Sequence, residues 1–396
     1  MAKDSNPSFF SLSGYPELDF WARNVKKLKN DAYGYPGNQY ILLKDFYKWY
    51  IANGLESVCL NNVGDPFCET PSALSSQKFE REVIEYFGRL HGFSQDNIWG
   101  LVTNSGTDSN NHGIYFGVRY LSCKTGRQPL VYVSEEAHYS NLRLADLQKA
   151  EVRLVKSDAM GRMIPQEFEK VLDPSRPCLM IFAMGSTFKG AIDDQRALNA
   201  VLAKYPGLAV YRHVDAALFG GYLPFTSHRA MVDRNCLSFD SIAVSGHKFF
   251  GMDEPAGLFI TTRDVYEHQT SYEIKYLNEN MRMINCSRSS LNSLKFWWLI
   301  HKVGYEQWCG QAETMLANAA YLKGRLDEIS YPCWLNELSN TVFFRRPNEW
   351  LVKKYSLANN FDVRLGGDLS HIVVMQHVTK EGIDRFVEDL KKQIRQ

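Results

Sequence analysis

No apolar run in this sequence approaches the roughly 20 residues that a bilayer-spanning helix needs, so a membrane-embedded role is not expected. Residues 1–24 lack the positive, apolar, small-residue order of a secretory leader. An excess of one charge is missing too, because 45 Lys and Arg against 44 Asp and Glu leave a formal net charge of +1. No bulk field therefore draws the chain to nucleic acid or to an anionic membrane. The eight cysteines are scattered, with no C-x-x-C pair and no His/Cys grouping at zinc spacing. Internal repeats and low-complexity tracts are also absent, which excludes a solenoid. These absences lead to the expectation of a soluble cytoplasmic protein with reduced thiols and no metal.

What is present is ordinary globular composition, 45% hydrophobic and 22% charged over 396 residues, long enough for one continuous α/β core. The first 75 residues are broken by Gly34-Tyr35-Pro36-Gly37 and by Asn61-Asn62-Val63-Gly64-Asp65-Pro66. Between the breaks, Leu43, Phe46, Tyr47 and Tyr50 recur at helical spacing, and the segment reads as an arm laid across another surface. In 76–91, Phe79, Val83, Tyr86, Phe87 and Leu90 share one helical face, with Ser76 as the candidate cap. Short apolar runs then follow at 99–103, 130–133, 152–155, 178–182, 208–214, 241–244 and 257–261. Helical stretches at 107–121, 139–149, 165–173 and 193–204 alternate with them. This alternation predicts a mostly parallel sheet covered on both faces, with a ligand at the carboxyl ends of its strands. After about residue 263 the pattern changes to long helices, two β-rich segments (341–344 and 371–375) and a final helix at 379–394. The expected division is an arm at 1–75, a large α/β domain at 76–288 and a smaller α+β domain at 289–396.

Polar clusters follow the strands. Ser245-Gly246-His247-Lys248 comes directly after the run 241–244. A lysine in such a crevice loses its proton on desolvation and can form a Schiff base, while Ser245 and His247 offer donors to a phosphate. His213-Val214-Asp215-Ala216-Ala217 ends a strand in a carboxylate able to keep a pyridine nitrogen protonated, beside small residues that let a flat ring approach. Thr103-Asn104-Ser105-Gly106-Thr107-Asp108 presents backbone N–H groups and hydroxyls to an anion at a helix start. It matches neither the dinucleotide fingerprint nor the P-loop. Glu136-Ala137-His138-Tyr139-Ser140 sets His138 where it can lie flat on an aromatic ring, with Ser140 at the periphery. Gly185-Ser186-Thr187 brings Thr187 toward a ring hydroxyl, and Asp193 and Asp194 read as caps of the next helix. Singly, each has a plainer reading: a solvated lysine, a capping Asp, a common strand-to-helix turn, a helix-start histidine. Together they converge on one rim of one sheet.

These residues resemble the group II pyridoxal-5′-phosphate-dependent amino acid decarboxylases, and among them the bacterial histidine decarboxylases and plant serine decarboxylases. The resemblance runs through Gly34-Tyr35-Pro36, Asn62–Phe67, Thr103–Asn110, His138-Tyr139-Ser140, Gly190–Asp194, His213–Leu218, Ser245–Lys248, Ser287-Arg288-Ser289 and Asn336–Phe343. It implies the aspartate aminotransferase-like fold (fold type I), with pyridoxal 5′-phosphate as cofactor. Lys248 would be the Schiff-base lysine, Asp215 the partner of the pyridine nitrogen and His138 the residue stacked on the ring. Ser105, Gly106, Thr107, Ser245 and His247 would hold phosphate, Thr187 would touch the ring hydroxyl, and Ala217 would back the ring. Tyr35, Asp65, Phe67 and Ser72 would fall on the substrate side. The resemblance also implies a homodimer with active sites at its interface, and a tyrosine that protonates the product carbanion. Tyr276 falls at that tyrosine's place, with Tyr272 close enough to keep the assignment open.

The sequence departs from the family pattern in three places. The phosphate loop reads Gly106-Thr107-Asp108-Ser109 where relatives have Gly-Thr-Glu-Gly. Ser72 stands where an aromatic would border the substrate, and the stretch after the lysine reads Met252-Asp253-Glu254-Pro255-Ala256. The cofactor residues are kept while the substrate wall differs. Decarboxylation of an amino acid, histidine first and serine or another next, is therefore the leading reading. A pyridoxal enzyme of another reaction type, such as an aminotransferase or aldolase with Arg288 as carboxylate anchor, is the first rival. A catalytically silent scaffold is the second.

Overall fold

The computed structural model describes residues 15–69, 72–275 and 279–394. After a short strand β1 (Asn61–Val63), the apolar runs become β2 (Ile98–Thr103), β3 (Leu130–Ser134), β4 (Glu151–Val155), β5 (Cys178–Ala183), β6 (Val210–Asp215), β7 (Ser241–Ser245) and β8 (Gly257–Thr262). They form one seven-stranded sheet ordered β2-β8-β7-β6-β5-β3-β4. The strands from β3 to β7 pair in parallel, whereas β8 runs antiparallel to both β7 and β2. Strands β2, β3, β5, β7 and β8 are buried at every position, which is why they read as unbroken apolar runs. Edge strand β4 is mostly exposed and blunts its free edge with charge at Glu151 and Arg153.

Helices α1 (Pro16–Leu28), α2 (Lys44–Ala52), α3 (Gln77–Leu90), α4 (Gly106–Thr125), α5 (Ser140–Leu147), α6 (Pro165–Val171) and α7 (Gln195–Leu202) precede or alternate with these strands. The strand period of two sends Trp99 and Leu101 to one face and Ile98 and Val102 to the other. On the first face α4 contributes Ile114, Phe116 and Leu121 to the core. It lies very close to the sheet there, because a Cβ on Gly113 would fall 2.1 Å from the His213 ring and one on Gly117 2.0 Å from Leu179. On the second face α3 packs Val83, Ile84 and Phe87 against Phe296 and Leu299. Those last two belong to α10 (Ser290–Val303), which follows the short α8 (Phe219–Tyr222) and α9 (Arg263–Glu267).

The C-terminal part contains α11 (Tyr305–Glu328), α12 (Glu349–Lys354) and α13 (Lys380–Ile394). Two short pairings come earlier in the chain, β9 (Tyr272–Ile274) with β10 (Glu279–Met281), and β1 with β11 (Ser287–Ser289). The C-terminal sheet is β12 (Cys333–Leu335), β13 (Thr341–Arg345), β14 (Ala358–Asp362) and β15 (Gly367–Val373), antiparallel in the order β12-β13-β15-β14. Two of these four strands were not expected. The arm at 33–40 threads between this sheet and the main one. The Tyr33 amide donates to the Tyr355 carbonyl, and the Asn38 amide donates to that of His247.

Two capping expectations are corrected. Ser76 makes no side-chain cap to α3, because its hydroxyl donates to the Ser290 carbonyl and lies 3.2 Å from Asn62 Oδ1. A cap contributes ~1 kcal/mol. Burying Val83, Ile84 and Phe87 contributes roughly 1.5–3 kcal/mol each, so α3 forms without one. Asp194 does cap α7, but Asp193 is buried and accepts from the Met163 and Ala183 amides at 2.9 and 2.7 Å. Arg288 forms a buried bidentate pair with Glu80 at 2.9 and 3.0 Å. It therefore serves the fold, and it lies outside the cavity described next.

Candidate active site

The carboxyl ends of β3, β5, β6 and β7, together with the start of α4, open onto a cavity of about 570 Å³. The arm closes one side through Gly34, Tyr35 and Pro36, and the C-terminal sheet closes another through Ala358, Asn359, Asn360, His371 and Val373. Lys248 lies in its wall, three residues beyond the end of β7. Its turn is tight because a Cβ on Gly246 would meet the Phe296 ring at 2.5 Å. Desolvation pushes the Lys248 pKa below its ordinary 10.5, and the Asp215 carboxylate opposes that shift. Among the described residues the Lys248 amine has no hydrogen-bond or ion-pair partner.

Asp215 ends β6, buried in the same wall. Asn141 Nδ2 donates to its Oδ2 at 3.0 Å, and the Ala217 amide donates to Oδ1 at 3.3 Å. His138 contributes its ring from the loop after β3. The Ser140 hydroxyl and amide lie 2.7 and 3.3 Å from His138 Nδ1 and hold the ring from that side. Burial holds the His138 pKa below 6.5, with Asp215 raising it and Lys248 lowering it, so the ring is neutral near pH 7. Two positions before Asp215, His213 is pushed down to about 4 by burial and bridges Ser241 and Asn110 at 2.8 and 2.9 Å.

Ser105, Gly106 and Thr107 open the 20-residue α4 beside Ser245 and His247. The Ser105 hydroxyl accepts from the Asp108 amide and retains its own proton for a ligand. A Cβ on Gly106 would lie 2.1 Å from Ser245 Oγ, so any larger residue there must displace the Ser245 hydroxyl from its place beside the helix start. Among the described residues, Asn141 Oδ1 is buried without a partner. The donor set thus comprises a reactive amine, a carboxylate, a flat imidazole and a hydroxyl-lined helix N-terminus. It fits an aromatic aldehyde with a basic nitrogen and a phosphate. Gly106→Ala is expected to weaken pyridoxal phosphate binding by about tenfold, or ~1.4 kcal/mol, in a spectrophotometric titration. Unchanged affinity would rule out this cradle.

The cavity gathers Tyr35, Ser105, Gly106, Thr107, His138, Thr187, Asp215, Ala217, Ser245, His247 and Lys248. Asp65, Phe67 and Ser72 do not line it. Asp65 instead accepts from Trp99 Nε1 at 3.0 Å and from the Phe67 amide at 2.9 Å, while Phe67 packs against the core. Tyr276 lies outside the described residues; Tyr272 is exposed and does not line the cavity. The sequence reading missed Asn141 and His371. Asn141 sits three residues after His138, on the first turn of α5, which was a usable signal. His371 had none: it stacks on Phe188 and bridges the Phe188 and Gly34 carbonyls at 2.7 and 2.9 Å across distant segments.

Residues 117–340 match the family described as the pyridoxal-dependent decarboxylase conserved domain, and the chain belongs to that family. It is 35% identical over 340 residues to serine decarboxylase 3 of Oryza sativa subsp. japonica, covering 84% of this chain and 73% of that protein. It is 31% identical over 397 residues to the histidine decarboxylase of Morganella morganii, covering 96% and 97%. Among solved structures, L-methionine decarboxylase from Streptomyces sp.590 superposes with a TM-score of 0.83 at 20% identity, covering 97% of this chain and 96% of that one. Glutamate decarboxylase of Lactobacillus brevis does so with a TM-score of 0.79 at 17% identity, covering 100% and 95%. These two share the fold. The protein is a pyridoxal-5′-phosphate-dependent amino acid decarboxylase, which sets aside the transaminase and scaffold readings.

Proposed function

We propose that this cavity binds pyridoxal 5′-phosphate and decarboxylates L-histidine. The observation that carries the site is that Lys248, Asp215 and His138 share one wall, with the lysine desolvated and facing the field of Asp215. Lys248 would hold the coenzyme covalently, Asp215 would pair with its ring nitrogen, and Asn141 keeps Asp215 oriented. His138 would lie on the ring, Ala217 would back it and Thr187 would meet its hydroxyl. Ser105, Gly106, Thr107, Ser245 and His247 would hold the phosphate. When bound, pyridoxal phosphate supplies the electron sink into which the carbon–carboxylate bond breaks. Around it the chain excludes water, fixes the substrate amine beside Lys248 and leaves the departing carboxylate without a strong cationic anchor. Lys248 is the one Lys or Arg among the described lining residues, and Glu135 and Glu136 face the cavity. A substrate side chain that is itself a carboxylate is therefore disfavoured, whereas an imidazole or a hydroxyl is not.

Histidine is preferred because the Morganella enzyme matches almost end to end. Serine is the second reading, favoured by the 35% identity to the rice enzyme. Tyr276 is assigned as the acid that protonates the product carbon. The protein is assigned as a cytoplasmic homodimer, its active sites at the interface. Leu18, Trp21, Val25 and Leu28 of α1 are all exposed and form an apolar stripe that a second copy would cover. The test is to incubate holoenzyme with each amino acid separately and identify the released amine by mass spectrometry. Histamine is expected. Ethanolamine would transfer the assignment to serine, and no amine from any amino acid would sink both.

A further inference from the structure

Beyond the coenzyme cradle, a charged cluster with a buried lysine at its centre lies where the two walls of the cavity meet. The Lys189 side chain is wholly buried, and Nζ donates to Glu136 Oε1 and Asp362 Oδ2 at 2.5 Å each. Arg364 reinforces both carboxylates, donating from Nε to Asp362 Oδ1 at 2.9 Å and from Nη2 to Glu136 Oε1 at 3.1 Å. Its Nη1 donates to the Ser157 carbonyl at 2.7 Å. Glu135 accepts from the amide and hydroxyl of Ser157 at 3.1 and 2.9 Å.

The cluster joins segments that each wall the cavity. Glu136 lies two residues before His138, and Lys189 two residues after Thr187. Asp362 ends β14, whose Ala358, Asn359 and Asn360 face the cavity. The stem of Lys189 passes close to Gly161, where an added Cβ would lie 3.1 Å from its Cδ. Asn336 Nδ2 donates to the Lys189 carbonyl at 2.9 Å.

A buried ammonium is costly to desolvate, and an apolar side chain of similar volume often holds a fold equally well. Stability alone is therefore a poor reason for this lysine. Charge-assisted hydrogen bonds do supply short, directional constraint. We propose that Lys189 is a positioning residue for the decarboxylation: it locks β14, and the substrate wall that β14 carries, against the loop bearing His138. The inference rests on the reading that this cavity binds the substrate. His138 and Thr187 adjoin the clamp's anchors, but Lys248, Asp215 and the residues assigned to the phosphate sit on other strand ends or on α4, so coenzyme stays loaded when the clamp loosens while the β14 wall shifts and substrate binding weakens.

The test is steady-state decarboxylation by the Lys189→Met holoenzyme, using whichever of histidine and serine the wild type turns over. KM is expected to rise about tenfold while kcat stays within about threefold and coenzyme absorbance is retained. Arg364→Gln alters a residue whose side chain is 35% exposed, so it is the variant that decides if Lys189→Met does not fold. Its KM is expected to rise about threefold, since Lys189 still holds both carboxylates. Unchanged KM in both variants overturns the proposal, as does a lower Tm with KM unchanged, which marks a structural role only. A fall in kcat with KM unchanged also overturns it. Lys248→Ala, assayed alongside, separates the two levels. Surviving turnover there sinks the site reading itself; lost turnover there with normal KM in the clamp variants sinks the clamp alone.

Discussion

Lys248→Ala is expected to abolish decarboxylation, lowering kcat by on the order of 10³-fold or more, with release of labelled carbon dioxide as the measurement. The argument begins with position. The lysine follows five buried residues of β7, and the turn that carries it is pinned by Gly246 against Phe296. Its amine therefore faces the cavity with little freedom to leave. Asp215 and the residues proposed to hold the phosphate remain in the variant, so uptake of coenzyme without the covalent attachment is expected. Its visible absorbance then differs from that of the wild type. Turnover within a few fold of wild type would mean that another amine does this work and that the site is wrongly placed.

The same lysine makes a pH prediction for the protein without coenzyme. Its native pKa lies below 10.5 because burial disfavours the ammonium, so the unfolded chain binds that proton more tightly than the native one. The penalty on the native state is full below the depressed native pKa. It shrinks as pH rises toward 10.5 and is gone above that. The Tm of coenzyme-free wild type should therefore gain on that of coenzyme-free Lys248→Ala as pH rises. A gap that is flat with pH would contradict the desolvation.

Which parts of this were readable beforehand follows from where the information lies. Strands β2, β3, β5, β7 and β8 were legible because burial on both faces demands unbroken apolar residues, while β6 and the mostly exposed β4 showed through interrupted apolar runs; the ends of all seven moved only slightly. The residues at their carboxyl ends were legible for the same reason, because polar groups just past such strands have only the rim to occupy. Strand β14 was not legible. Its sequence, Ala358-Asn359-Asn360-Phe361-Asp362, has no apolar alternation, and its place is fixed by pairing with β15 and by Asp362 on Lys189. The three residues of β12 carry too little pattern to stand out. Ser76 and Asp193 looked like caps, but long-range partners claimed both side chains: Asn62 and Ser290 in one case, the Met163 and Ala183 amides in the other. Asp65 likewise lies outside the cavity lining, with Trp99 Nε1 and the Phe67 amide donating to it. Local rules identify chemical groups, and only tertiary packing decides which of them stay free.

Asp215→Asn is the change with the next-largest expected effect: normal coenzyme loading and a kcat lower by roughly 10²- to 10³-fold, the range for removing one preorganised electrostatic contact. The carboxylate is fixed by Asn141 on Oδ2 and the Ala217 amide on Oδ1, so its charge cannot turn away from the cavity. An asparagine keeps the shape and surrenders the charge, and Asn141 can turn its amide to present Oδ1 to the new N–H, so the change is chiefly one of charge. With coenzyme bound, the variant would offer its ring nitrogen no anion to hold a proton there, and the electron sink would be weaker. Asn141→Ala supplies the graded control. It leaves the charge and removes one hydrogen bond to it, so a loss of roughly tenfold is expected. If the two variants lose activity equally, orientation rather than charge is what Asp215 contributes. If Asp215→Asn keeps kcat within a few fold, this carboxylate does not face the ring nitrogen at all.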